Sequence, residues 1–81
     1  MFPKKVRYSR RLKAIEKLLY FEIAEIIKEK GVCDETNAYF AELFDTTKQT
    51  ISNYIQSLKR EELIYIAFGG NGTKRYIYLR Q

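Results

Sequence analysis

The chain has 81 residues, 46% of them hydrophobic, and a net charge of +5, which suits one small domain with its own core. It lacks any run of about 18 apolar residues, so we expect no membrane span, and Met1-Phe2-Pro3 followed by charges does not resemble a signal peptide. The single Cys33 allows no internal disulfide and fits a cytoplasmic protein. Histidine is absent and one cysteine cannot build a zinc site, so we expect no enzyme activity, metal or cofactor.

The net charge is unevenly distributed along the chain. Residues 1–13 contain six basic residues and no acidic one, residues 14–47 carry a net charge of −5, and residues 48–81 carry +4. Runs of like charge are often only solvated faces. Here the second basic block coincides with the third predicted helix and the hairpin after it, and this coincidence favours a polyanionic partner.

The first predicted elements are an extended basic arm and a long helix. Residues 1–8 form the arm, because Pro3 disfavours a helix and apolar residues then alternate with basic ones. The helix spans residues 9–31, with Ser9 as its N-cap and Gly31 at its end. Its apolar face is broad, which predicts a central helix or one that contacts a second subunit; it comprises Leu12, Ile15, Leu18, Leu19, Tyr20, Phe21, Ile23, Ile26 and Ile27.

Residues 36–62 are predicted to form a helix-turn-helix. Thr36 or Asn37 caps a helix that ends at Phe44, and Thr47 caps a third helix that runs to about Glu62. Between them, the turn needs a left-handed backbone at Asp45, which aspartate tolerates. The other positions fit helices packed closely together: small Ala41 at the crossing, Thr46 pointing inward, and Ile51 and Ile55 on the buried face.

Residues 63–79 are predicted to form a β-hairpin. The runs 63–68 and 76–79 are β-branched and aromatic, and Gly69-Gly70-Asn71-Gly72 between them is a strong turn signal. Before the second helix, Val32-Cys33-Asp34-Glu35 is a short connection and a candidate minimal strand. The fold class is therefore mainly α with a small β-sheet: a winged helix-turn-helix of three helices followed by a two-stranded wing, forming one domain over residues 1–81. The chain stops where the last strand ends, so we expect the domain to come from a longer protein.

Short polar and basic side chains on the third helix suit contact with duplex DNA. Gln49 and Asn53 can both donate and accept, the pattern that adenine presents in the major groove. Lys48 in the first turn opposes the helix dipole, which favours an anion there. We therefore assign Lys48, Gln49, Ser52 and Asn53 to the bases, and to phosphates the residues Thr47, Thr50, Lys74 and Arg75. For the arm, Arg10 and Arg11 have three alternatives: backbone contacts, minor-groove insertion, or packing on another subunit.

Three stretches resemble the N-terminal winged-helix domain of plasmid replication initiators and phage replisome organisers of Gram-positive bacteria. They are KVRYSRRLKAIEKLLYFEI (5–23), NAYFAELFDTTKQTISNYIQSLKREELI (37–64) and KRYIYL (74–79). Departures from the family pattern are Asp45 and Glu62, which replace glycines, and Asn53-Tyr54, which replaces Arg-Trp. The resemblance implies binding to repeated double-stranded sites at a replication origin, often as a homodimer, with a C-terminal domain that recruits replication proteins.

We therefore expect a sequence-specific duplex-DNA-binding module of a replication initiator. A transcriptional regulator with the same fold is the first alternative, since its DNA chemistry would be identical. The second alternative is a winged helix used only for protein–protein contact. The two DNA-binding alternatives differ in where their sites lie: iterated repeats at an origin, or one operator at a promoter.

Overall fold

The computed structural model describes residues 12–80 and shows three helices followed by one antiparallel hairpin. The helices are α1 (Ala14–Lys30), α2 (Asn37–Leu43) and α3 (Lys48–Arg60). The strands are β1 (Ile64–Gly69) and β2 (Lys74–Leu79). This order confirms the predicted winged-helix class. The arm, residues 1–8, lies outside the described residues, as do Ser9, Arg10 and Arg11.

The start of α1 differs from the prediction. Lys13 has an extended backbone, with φ −71° and ψ 158°, and its N–H donates to Glu16 Oε1 at 2.8 Å. The helix therefore begins after Lys13, with Glu16 at its third position bonded back to the N-cap, rather than after Ser9 as predicted. Leaving helical geometry before Ala14 also allows Leu12 to enter the core. At the other end, the prediction for Gly31 is confirmed: with φ 84° it closes the helix through a bond from its N–H to the Ile27 carbonyl.

A single core joins the three helices and the inner face of the hairpin. The predicted face of α1 is largely confirmed, because Leu19, Tyr20 and Ile23 are buried. Leu18 is the exception; it is 53% exposed, so it extends the apolar surface outward. The largest fully buried side chains of the other elements are Phe40, Ile51, Leu58, Ile64 and Ile77.

The turn between α2 and α3 follows the prediction closely. Asp45 has φ 54°, the left-handed conformation that the helix-turn-helix requires. The Thr46 N–H donates to the Ala41 carbonyl at 2.8 Å, and this bond sets the angle at which α3 leaves α2. Both predicted N-caps are confirmed: Thr36 Oγ1 accepts from the Tyr39 N–H, and Thr47 Oγ1 accepts from the Thr50 N–H, each at 3.1 Å.

The wing spans the predicted residues, but its second strand is longer than predicted, because β2 already begins at Lys74. Its register pairs Gly69 with Lys74 and Ile64 with Leu79, so residues 70–73 form the loop. The prediction of a minimal strand at Cys33 is confirmed: Cys33 forms a bridge with Ile77, whose N–H donates to the Cys33 carbonyl at 2.8 Å. The segment before α2 therefore lies along β2.

Candidate nucleic-acid interface

The polar face of α3 is presented to solvent by the packing of its opposite face. Ile51, Ile55 and Leu58 are buried and hold the helix against the core. Because a helix turns once every 3.6 residues, the intervening positions project outward. The structure brings the predicted base-reading residues together on this outer side, with Lys48, Gln49 and Asn53 exposed and Ser52 half-buried.

The N-terminal turn of α3 carries no acidic residue. Lys48 is exposed there, although the positive end of the helix dipole disfavours a cation. The last turn holds two more basic residues, Lys59 and Arg60, and α3 contains no acidic residue at any position. The helix therefore carries positive charge at both ends and no negative charge between them, which suits a polyanion better than a neutral partner.

The two threonines assigned to phosphates are hydrogen-bonded to each other. The Thr47 hydroxyl donates to Thr50 Oγ1 at 2.9 Å, and Thr47 Oγ1 also accepts from the Thr50 N–H. The proton of Thr47 is therefore already used in the bond to Thr50 Oγ1, while its oxygen caps α3. Thr50 keeps its own hydroxyl proton for a phosphate oxygen, because a hydroxyl can donate and accept at once. Of the two, Thr50 is better placed for the predicted contact.

Gln49 and Asn53 form one paired unit on the outer face. Gln49 Nε2 donates to Asn53 Oδ1 at 3.1 Å, across one helical turn. The pair keeps an accepting oxygen on Gln49 and a donating NH₂ on Asn53. Adenine offers the complementary donor and acceptor in the major groove. The pair can therefore bind an adenine jointly, rather than each amide binding a base by itself.

On the wing, Lys74 occupies the position that the prediction gave it. It lies at the start of β2, next to the loop, and its side chain is 59% exposed. The only ion pair recorded for it within residues 12–80 is with Asp34 at 3.9 Å, and such an exposed pair is worth roughly 0–1 kcal/mol. A phosphate can therefore displace Asp34 at little cost.

Arg75 is not placed as predicted. Its guanidinium is half-buried, and it donates from Nη1 to Asn37 Oδ1 at 2.6 Å and from Nη2 to the Glu35 carbonyl at 2.7 Å. Burial lowers the pKa of Arg75, while the nearby Cys33 raises it to a smaller extent. Two donors that were expected to meet a phosphate are thus bonded inside the domain. Because successive strand residues point to opposite faces, Arg75 shares the inward side of β2 with buried Ile77, whereas Lys74 points outward.

Comparisons with protein-family models, with curated proteins and with solved structures found no match to this chain. The resemblance to initiator domains therefore stays a prediction.

Neither a metal site nor a membrane helix is found in the described part of the chain. Within residues 12–80, no three His, Cys, Asp or Glu side chains lie close enough together to hold a metal ion. No helix in the same range is long and apolar enough to cross a membrane. Arg10 and Arg11, the remaining predicted contacts, lie outside this range.

Sequence reasoning missed that Arg75 faces inward and bonds to Asn37. A signal was available for the inward direction of Arg75. If β2 is extended back to Lys74, the alternation of a strand places residues 75, 77 and 79 on one face, and Ile77 marks that face as buried. Sequence reasoning identified the aromatic residues of the wing but not their stacking across the strands. Tyr65 and Tyr78 stack across the strands with ring centroids 5.1 Å apart, which stabilises a two-stranded hairpin.

Proposed function

We propose that this domain binds duplex DNA sequence-specifically, with α3 in the major groove and the wing on the flanking backbone. The observation that carries the proposal is the outer face of α3, where Lys48 and the Gln49–Asn53 pair are exposed on a helix without acidic residues. A helix about 10–12 Å across fits a major groove about 12 Å wide. Base contacts by Lys48, Gln49, Ser52 and Asn53 would supply specificity, and Thr50 and Lys74 would hold phosphates.

Within this proposal, the protein is a cytoplasmic replication initiator that binds repeated origin sites as a homodimer. The support for this finer statement is the resemblance of residues 5–23, 37–64 and 74–79 to initiator domains. A transcriptional regulator would use the same contacts. Footprinting on the replicon that encodes the protein separates them, because an initiator protects iterated repeats whereas a regulator protects one operator.

The experiment that tests DNA binding is selection of bound sequences from a random duplex pool, followed by fluorescence anisotropy. We expect enrichment of a short motif and a log–log dependence of affinity on salt with a slope of about −0.9 for each phosphate contacted. Absence of binding to any duplex at low salt would exclude the proposal.

The rival function, protein–protein contact, is favoured by an exposed apolar patch on α2. Tyr39 and Leu43 lie one helical turn apart and are 40% and 50% exposed. Such a patch is compatible with DNA binding, because subunits or other replication proteins can contact it. Protein–protein contact replaces DNA binding as the proposed function only if selection from the random duplex pool enriches no motif.

A further inference from the structure

Arg75 connects two parts of the domain that are far apart in sequence. Its acceptors, Asn37 Oδ1 and the Glu35 carbonyl, lie 38 and 40 residues before it. Asn37 is the first residue of α2, whereas Arg75 is the second residue of β2. The two bonds, here called the Arg75 bridge, thus join the wing to the beginning of the helix-turn-helix.

The surroundings make the Arg75 bridge strong. The guanidinium is half-buried, and bonds from a charged donor are stronger where water is partly excluded. Both bonds come from one planar guanidinium, so a rotation of Arg75 towards solvent has to break them together. A half-buried charge that lost its acceptors without leaving the domain would be unfavourable. The planar fork of arginine suits two acceptors at once, which a lysine ammonium cannot reproduce.

The rest of the contact between the segment before α2 and β2 is short. Its polar contacts within residues 12–80 are the Cys33–Ile77 backbone bridge and the exposed Lys74–Asp34 pair. Beyond Arg75 the hairpin continues into a loop that contains Gly70 and Gly72. The Arg75 bridge is therefore the last firm attachment before the wing tip, and Lys74 lies immediately beyond it.

We propose that Arg75 is a positioning residue, which holds the wing against the start of α2 so that Lys74 and the outer face of α3 meet DNA as one rigid surface. A preorganised surface binds more tightly because less motion is lost on binding. The inference rests on the proposed function for its effect on DNA, whereas the bridge itself can be measured without DNA.

The first test uses variants that break the bridge at constant charge. Arg75→Lys keeps the charge but cannot form the fork, and Asn37→Ala removes one acceptor without touching any charge. We expect each to weaken binding to the selected duplex by about three- to thirtyfold, with an unchanged salt slope. The matched control is Arg80→Lys, the same replacement at an exposed position after β2, and it should bind like the wild type.

Two further readouts separate positioning from a direct phosphate contact and from a loss of folding. The double variant, Arg75→Lys with Asn37→Ala, should bind DNA no more weakly than the single variant with the lower affinity, because each substitution disrupts the same bridge. Hydroxyl-radical protection of the backbone flanking the site should be lost while protection over the α3 contacts stays. If Arg75→Lys binds normally while Arg75→Gln lowers the salt slope by about one, then Arg75 contacts phosphate and the proposal is wrong.

The second test is hydrogen exchange of the free domain. The Ile77 N–H, bonded to the Cys33 carbonyl, should exchange faster in Arg75→Lys and Asn37→Ala, whereas the core amide of Ile23 should not change. Unchanged exchange at Ile77, or equal acceleration at Ile23, would overturn the proposal. If the wild type binds no duplex, the proposed function fails, and these exchange rates still decide whether the bridge holds the wing.

Discussion

Asn53 is the residue on which the proposed base readout depends most directly. It is exposed and accepts from Gln49 through its Oδ1, so its NH₂ group stays available to a base edge. Asn53→Ala should cost roughly 1–3 kcal/mol on the selected sequence and little on random duplex, measured by anisotropy on both. Because the two amides act as a pair, the double variant with Gln49→Ala should cost less than the sum of the single variants. Equal losses on both duplexes would remove Asn53 from base readout.

Lys74 should behave differently, because a phosphate contact carries no sequence information. Lys74→Ala should weaken all duplexes alike and reduce the salt slope by about one. The control is Lys28→Ala, which removes the same charge from the exposed last turn of α1. An equal change of slope in both variants would mean that Lys74 acts only through net charge.

At the scale of elements, three connections within residues 12–80 contain a residue with a left-handed backbone that is not glycine. Asp45 links α2 to α3 with φ 54°, Glu62 links α3 to β1 with φ 60°, and Asn71 lies in the loop of the wing with φ 61°. Aspartate tolerates this conformation, whereas a longer side chain pays about 1–2 kcal/mol for it. The junction before the wing therefore stores more strain than the turn of the helix-turn-helix.

Glu62→Gly should accordingly stabilise the domain, by roughly 0.5–1 kcal/mol once the greater flexibility of glycine in the unfolded chain is subtracted. The measurement is urea unfolding followed by circular dichroism. Its neighbour Glu61 provides the control, since it carries the same charge but has φ −81°. Glu61→Gly should be neutral or destabilising, and a gain of stability there as well would show that lost charge, not relieved strain, is the cause.

The same elements show what a sequence can and cannot predict. Gly31, Thr36 and Thr47 mark helix ends through bonds to residues at most four positions away, so these ends were predictable. The start of α1 was not, because Leu12 leaves the helix to join a core assembled from distant elements. Strand alternation indicates that Arg75 faces inward, but its acceptors lie 38 and 40 residues away, and no local pattern reveals them.

At the scale of the whole molecule, the candidate interface of α3 and the wing lies next to part of the acidic middle of the chain. Residues 14–47 carry a net charge of −5, yet α3 and the wing that follow are basic. The Arg75 bridge and the Cys33–Ile77 pair bring residues 33–37 of the acidic segment against β2. The Asp34 carboxylate consequently lies beside Lys74, where in the proposed complex it would compete with a phosphate for the ammonium group.

This arrangement also buries Cys33. We therefore expect the free energy of unfolding of the whole domain to decrease at alkaline pH. Burial raises the pKa of the Cys33 thiol; a bond from the Glu35 backbone and the charge of Arg75 lower it less, and Glu35 and Asp34 add to the rise. Burial raises the pKa of Tyr20 as well. A group whose pKa is raised on folding stabilises the fold fully below its unfolded value, and this contribution is lost as pH rises.

We therefore expect the free energy of unfolding to fall above about pH 8.5, where the unfolded thiol begins to ionise, with a further fall above about pH 10 from tyrosine. Urea unfolding between pH 7 and 10.5 measures this directly. Cys33→Ser, which keeps an acceptor for the Glu35 backbone but does not titrate in this range, should lose the first fall and retain the second.

In the native protein at pH 8 the thiol should react with a disulfide reagent only as fast as the domain opens, because Cys33 is fully buried. A rapid reaction under native conditions would show that the contact between Cys33 and β2 opens without global unfolding.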